Sequence, residues 1–404
     1  MEAERMSERT LLLGYDLGDE KTQLAVYDKK TREPVLIGQT EDNPYALLDT
    51  AIAREGREPL TDFVAKIRNG EEIEVDGKLS RPVNVLAHYF SKTLSLTRQD
   101  YPGETIRQLV VTVADATQEF VQVIYEALEK IGVGRDRALV LDHQQSFTHY
   151  VLYQKKEIWI NDVGLFDCTP DSLKYYQLQV DRSKSPILVG VKQKDYSDAL
   201  NLSEMGDDHR AAVFENVVYG AIHKQLLSTL YMTGAGFEGD WADGVFQKLC
   251  VGRRVFKGNN LYVSGACYAA RELAGPPRLE DYLLLDEEMI SGHVMIRAYS
   301  DAAEQDLMLA KAGTLWYLVD EEVDLIPDGD SEISLTVKNI FNKSEKQFLI
   351  GLEPVQTRLD RHCRLGIRIR FASPQTCVVT IKDKGFGELF PTSNRIWEKS
   401  FEIG

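Results

Sequence analysis

The sequence predicts two α/β lobes followed by an all-β domain, on three observations. A short antiparallel meander opens the chain and helix–strand alternation follows it. The same order of elements begins again near residue 160. Beyond residue 287 helical periodicity disappears, and β-branched runs separated by turn residues continue to the end.

Each element follows from its pattern. "TLLLGYD", "TQLAVYD" and "PVLIG" are short apolar runs parted by polar turns, the mark of a meander. From Pro44 to Leu96 the chain reads as helical and irregular, with Val85, Leu86, Tyr89, Phe90 and Leu94 at helical spacing. "RQLVVTVAD" is a buried-type strand. The next segment sets Phe120, Ile124, Leu128 and Ile131 on one helical face and stops at Gly132 and Gly134. "RALVLD" is again a strand, and "QSFTHYVLYQ" a short helix. "EIWINDVGLFD" and "LKYYQLQVD" open the second unit as a hairpin. "RAAVFENVVYGAIHKQLLSTLYMTG" reads as one long helix, and "NNLYVSGACYAARELAG" as a strand, a glycine turn and a helix start. The expected divisions are lobe I at 1–160, lobe II at 161–280, a linker at 281–286 and a β-sandwich domain at 287–404.

The chain has 404 residues, 43% of them hydrophobic and 27% charged, and a net charge of −16. Nucleic-acid binding needs clustered Lys and Arg, so this charge argues against it, and equally against anionic membranes. "MEAERMSERT" lacks the apolar core of a signal peptide, and no window is apolar enough to span a bilayer. Five scattered cysteines without a CxxC pair suggest reduced thiols and a cytoplasmic location. Cys250 and Cys267 read as small inert hydrophobes. "EMGDDHR" reads as a polar turn, and Arg253, Arg254 and Lys257 as one local basic cluster. His143 and His149 flank a short helix.

Several motifs in order resemble the actin-like ATPase superfamily, and within it a bacterial subfamily of DnaK-type, heat-shock chaperone-like proteins. Asp16-Leu17-Gly18 stands where that family's first phosphate hairpin reads Asp-Leu-Gly-Thr-Thr. "QSFTHYVLY" resembles its Glu-Pro-Thr-Ala-Ala-Ala-x-x-Tyr helix, "DVGLFD" a second hairpin two residues short, and Val263-Ser264-Gly265-Ala266 the adenosine loop. "DYLLLDEE" is similar to the family's interdomain linker. The resemblance implies a two-lobed actin-like ATPase (ribonuclease H-like) fold followed by a β domain that takes protein or peptide partners. It implies ATP or ADP with Mg²⁺ as ligand. Asp16 and Asp162 would be the catalytic, Mg²⁺-side carboxylates acting through water. Gly18, Lys21, Arg54, Gly164, Gly265 and Tyr268 would complete the nucleotide site, with Tyr268 able to stack on a base.

The same residues depart from that chemistry. Asp19 and Glu20 replace two threonine donors, and at ~4 Å each carboxylate–phosphate contact would cost several kcal/mol. Lys21 can offset one of them, or the side chains can point outward as a solvated turn. Gln145 stands where the family carries a catalytic glutamate, and Arg54 where it carries a lysine. The expectation is therefore a DnaK-like protein with degenerate phosphate loops, at most a weak ATPase: a nucleotide-binding or pseudo-ATPase scaffold. The alternative is an active ATP-dependent switch binding extended peptides. A small-molecule kinase of the superfamily would have no use for the linker and β domain.

Overall fold

A computed structural model of the protein describes residues 9–200, 202, 205–285, 288–300, 302–327, 332–340, 344–352 and 363–403. Asp286 of the expected linker and Glu204 of "EMGDDHR" lie outside these residues. The chain divides into two compact units, Met1–Leu284 and Leu285–Gly404.

The first unit holds two sheets of the same design. Its first lobe contains β1 (Arg9–Leu17), β2 (Lys21–Asp28), β3 (Glu33–Leu36), α1 (Pro82–Leu94), β4 (Thr105–Val113), α2 (Gln118–Lys130), β5 (Ala138–Asp142) and α3 (His143–Tyr153). The second contains β6 (Asp162–Thr169), β7 (Ser172–Asp181), β8 (Ile187–Asp195), α4 (Asp207–Ala221), β9 (Leu227–Thr233), α5 (Asp243–Leu249), β10 (Arg254–Lys257), α6 (Leu261–Ala274) and β11 (Tyr282–Leu285). The sheet orders are β5-β4-β1-β2-β3 and β10-β9-β6-β7-β8-β11. In each, the leading hairpin is antiparallel and the two following strands join in parallel. The repeat expected near residue 160 is thus a repeat of topology.

The buried strands read as nearly continuous apolar runs because helices cover both faces of each sheet. Helices α1 and α2 close one face of the first sheet around Leu13, Tyr15, Phe90, Val111 and Phe120. Helices α4 and α5 do the same for the second, around Phe166, Phe214, Leu230 and Phe246. The other two helices are exchanged. Helix α3 follows the first sheet but packs Phe147, Val151 and Leu152 with Val163, Leu165 and Leu178 of the second. Helix α6 follows the second sheet but packs Ala266, Ala269 and Ala270 with Leu12, Val110 and Leu141 of the first.

Three local readings change. Residues 261–274 are one helix, with no strand or glycine turn. Gly265 is a close-packing residue: a Cβ there would lie 1.9 Å from the Ser146 carbonyl oxygen of α3. The expected long helix over 210–234 is α4, a turn with Lys224 at φ 59°, and then β9. Within the expected linker, Tyr282–Leu285 is the edge strand β11 of the second sheet.

The second unit contains β12 (Gly292–Ser300), β13 (Ala303–Ala310), β14 (Asp320–Leu325), β15 (Glu332–Asn339), β16 (Glu345–Gly351), β17 (Leu365–Phe371), β18 (Thr376–Asp383) and β19 (Ile396–Glu402). They form two four-stranded antiparallel sheets, β13-β12-β15-β16 and β14-β17-β18-β19. Val294, Ile296, Leu335 and Val337 of one sheet share a core with Ile367, Ile369, Val379 and Ile381 of the other. Among the described residues no helix is long and apolar enough to cross a membrane.

Candidate functional site

The two sheets place their leading strands in equivalent positions, and each carries an aspartate near the hairpin end. Asp16 precedes the turn closed by the Leu17–Thr22 pair. Asp167 precedes the turn closed by the Thr169–Ser172 pair. The parallel neighbours agree, since Asp16 lies opposite Thr112 of β4 and Asp167 opposite Thr233 of β9.

Between the two aspartates lie a histidine and a tyrosine from the exchanged helices. His143, the first residue of α3, has Nε2 3.0 Å from Asp16 Oδ1. Its ring stacks on Tyr262 of α6, with centroids 3.7 Å apart and planes 10° apart. The Tyr262 hydroxyl donates to Asp167 Oδ2 at 2.7 Å. The sequence Asp16–His143–Tyr262–Asp167 thus runs from one lobe to the other, with the Asp16 and His143 side chains only 15% and 14% exposed.

Electrostatics follow from this burial. Burial pulls the His143 pKa down, but the charge and hydrogen bond of Asp16 outweigh it, with Asp167 and Asp142 adding, so the net shift is upward. Burial pushes the Asp167 carboxyl up, against the opposing pull of His143 and the Tyr262 hydroxyl. Burial likewise lifts the Tyr262 hydroxyl well above its ordinary value, with Asp167 the next cause. His143 is therefore disposed to be a cation between two carboxyl groups, and Tyr262 stays a neutral donor.

His143 is fixed by the start of its helix. Asp142 caps α3 by accepting from the Gln145 amide at 2.7 Å, and the Gln145 side chain accepts from the Asp142 amide at 3.0 Å. This is a capping box, so Gln145 has a structural task at the position where the resemblance places a catalytic carboxylate. Ser146 Oγ donates to Thr112 Oγ1 at 2.7 Å, and Thr112 Oγ1 donates to the Asp142 carbonyl at 3.1 Å, tying the helix start to β4.

Apart from Asp16, the expected nucleotide residues are engaged elsewhere in the molecule. Asp162 opens β6 rather than closing it, five residues or about 17 Å of strand away from Asp167. It accepts from the side chains of Gln177 and Gln179 at 2.6 and 2.8 Å. Gly164 lies mid-strand, where a Cβ would meet the Leu230 side chain at 2.5 Å. The Gly18 amide donates to the Lys21 carbonyl at 3.0 Å, inside its own turn. Lys21 pairs with Asp49 at 2.6 Å, and Arg54 Nε donates to the Glu58 carbonyl at 2.7 Å. Tyr268 stacks on Tyr153 with centroids 4.5 Å apart. Of the predicted set, only Asp16 meets the interlobe site.

The two carboxylates of the first turn differ in fate. Glu20 is exposed. Asp19 pairs with Arg68 at 2.5 Å, and its second oxygen is buried without a partner. The basic cluster also separates, because Lys257 Nζ reaches the Gly239 carbonyl while Arg254 binds the Glu157 carbonyl. Cys267 is buried as expected, but Cys250 is exposed.

Asp167, His143 and Tyr262 were not assigned to a site from the sequence. A signal for Asp167 exists in "FDCTPDS", where Pro170 and Asp171 mark the turn itself. Tyr262 has no local signal, since its partners are 119 and 95 positions away and meet it only through the exchange of helices (262 − 143; 262 − 167). Among the described residues no group of three or more His, Cys, Asp or Glu side chains is arranged to hold a metal ion.

No curated protein matches the chain. Residues 289–403 match a domain of unknown function, DUF8552. Residues 26–287, more than half the chain, match the C-terminal part of a family of unknown function, DUF5716, and the chain belongs to that family.

Proposed function

We propose that the protein is a DnaK-like pseudo-ATPase: an actin-like, ribonuclease H-like pair of lobes kept as a scaffold, with protein partners bound through the β domain. The repeated strand order and the exchanged helices support the fold assignment. One observation carries the functional reading. The imidazole of His143 stands against Asp16 and stacks on the tyrosine that holds Asp167.

The residues do not fit Mg²⁺–nucleotide. A Mg²⁺ water shell would donate its hydrogen bonds to Asp16, whereas His143 Nε2 stands 3.0 Å from Asp16 Oδ1, and its pKa, raised by that carboxylate, favours positive charge where the metal side would lie. The buried, unpaired Asp19 oxygen is an acceptor, and a phosphate oxygen has no proton to give it. Gly265, expected beside adenosine, is pressed against the Ser146 carbonyl. We derive no hydrolytic step from this arrangement.

The equivalence of Asp16 and Asp167 favours the second reading, an ATP-dependent switch. Calorimetric titration of ATP and ADP with Mg²⁺ separates the two. A scaffold gives no binding heat up to about 1 mM nucleotide. Micromolar affinity that is lost in Asp16→Ala would instead establish the switch and overturn the scaffold.

A further inference from the structure

The ends of β6, β9 and β10 farthest from the interlobe site carry a surface that the scaffold reading does not use. Ile160, Leu226 and Val251 precede these three strands and are 66%, 79% and 79% exposed. The register brings the starts of the three strands to one sheet end: Asp162 pairs with Leu227, and Thr229 with Arg254. The Asn161 amide donates to Ser228 Oγ at 2.7 Å, closing the first two loops together.

The rim is basic. Arg182 donates to the carbonyls of Trp159 and Ile160, Arg254 to that of Glu157, and Lys156 and Lys224 stand exposed beside them. The acidic neighbours are Glu157, Asp162 and Asp181; Asp162 already accepts from Gln177 and Gln179, and Asp181 from Ser183. On a chain of net charge −16 this is a local reversal of sign around an apolar centre.

We infer that this surface docks an acidic amphipathic helix of a protein partner. Two inter-strand steps of about 4.8 Å spread the starts of the three strands, and with them the loops that carry the three aliphatic residues, over roughly 10 Å. A helix repeats apolar positions i, i+4 and i+7 over nearly the same length, about 10.5 Å at 1.5 Å per residue. The cationic rim then meets the acidic flanks of that helix. An anionic bilayer is the poorer occupant, because a plane confronts the acidic surface around the patch as well as the patch, whereas a single helix meets the patch alone. This inference is independent of whether the cleft takes a nucleotide.

The test uses the full chain and a fluorescein-labelled synthetic helix with Leu at i, i+4 and i+7 and Glu and Ala elsewhere. Anisotropy should report binding in the range of about 10–100 µM. Leu226→Asp with Val251→Asp, and separately Arg254→Glu, should each weaken it about tenfold or more while thermal melting is unchanged. Raising salt from about 50 to 300 mM should weaken it further. Three results overturn the inference: equal binding of a peptide with Lys for Glu, affinity unaffected by either variant, or no binding at ~100 µM. Patch-dependent dimerisation in sedimentation, or patch-dependent binding to phosphatidylserine vesicles without peptide binding, would also overturn it.

Discussion

His143 gives the molecule a pH dependence whose sign can be worked out. Its pKa is raised in the folded chain, so its pairing with Asp16 stabilises fully below the ordinary value of 6.5. That stabilisation is lost as pH rises through the raised value. Burial pulls His149 down to about 4, so it is already neutral there, and Cys168 and Cys377 are pushed up to about 12. Stability measured by urea unfolding should therefore fall as the pH rises above 6.5. His143→Gln should flatten the slope, and an unchanged slope would detach the effect from His143. Gln145 yields a second residue-scale prediction. Gln145→Ala should cost roughly 0.5–1 kcal/mol through loss of half the capping box. Gln145→Glu should keep the stability, since Glu also serves at that position, and should create no measurable phosphate release from ATP.

At the scale of elements, the exchange of α3 and α6 depends on the absence of a side chain. Gly265→Ala would drive a methyl to 1.9 Å from the Ser146 carbonyl oxygen, which is backbone and cannot rotate away. The intrinsic helix preference of Ala over Gly, about 1 kcal/mol, is smaller than the cost of parting two helices, so a net loss of about 2–4 kcal/mol is expected. At Gly220, in the last turn of α4, an added methyl would meet nothing within 4 Å, and there Ala should stabilise by about 0.5–1 kcal/mol. Opposite signs in chemical denaturation would establish that the first glycine is required by packing; equal signs would refute it. The same helix shows where sequence patterns lose information. Leu261 to Ala270 are all buried, so no polar face marks the helical period, and Gly265 looks like a turn. Every residue of β9 is buried too, and the turn before it contains neither Gly nor Pro between Ala221 and Leu227, so α4 and β9 read as one helix. Where one face is solvated, as in α2, or a polar turn intervenes, as between β1 and β2, the pattern was legible. The site shows the same division. Asp16 was legible from its Asp-Leu-Gly turn, whereas Asp167 was missed because glycine at 164 suggested a turn that lies at Pro170 and Asp171.

For the molecule as a whole, the division between units makes the segment Asp281–Asp286 decisive. Read from sequence it is a linker, yet Tyr282–Leu285 pairs along β8 as an edge strand. Tyr282 and Leu284 pack against the core that holds α3 on the second sheet, and Tyr282 meets Trp159 edge-on with ring centroids 6.2 Å apart. Each unit has a core of its own, with Leu335, Val337, Ile367 and Val379 among the core residues of the second. A fragment ending at Asp286 should therefore fold, and one ending at Glu280 should lose about 2–4 kcal/mol through the missing ladder and the uncovered apolar surface. The complementary fragment starting at Glu287 should unfold cooperatively by itself, as a domain with its own core does. Equal stability of the two N-terminal fragments would mean that 282–285 acts as a free linker. A loss confined to the shorter one would mean that the strand belongs to the second sheet, whose core also holds α3, the helix that begins at His143.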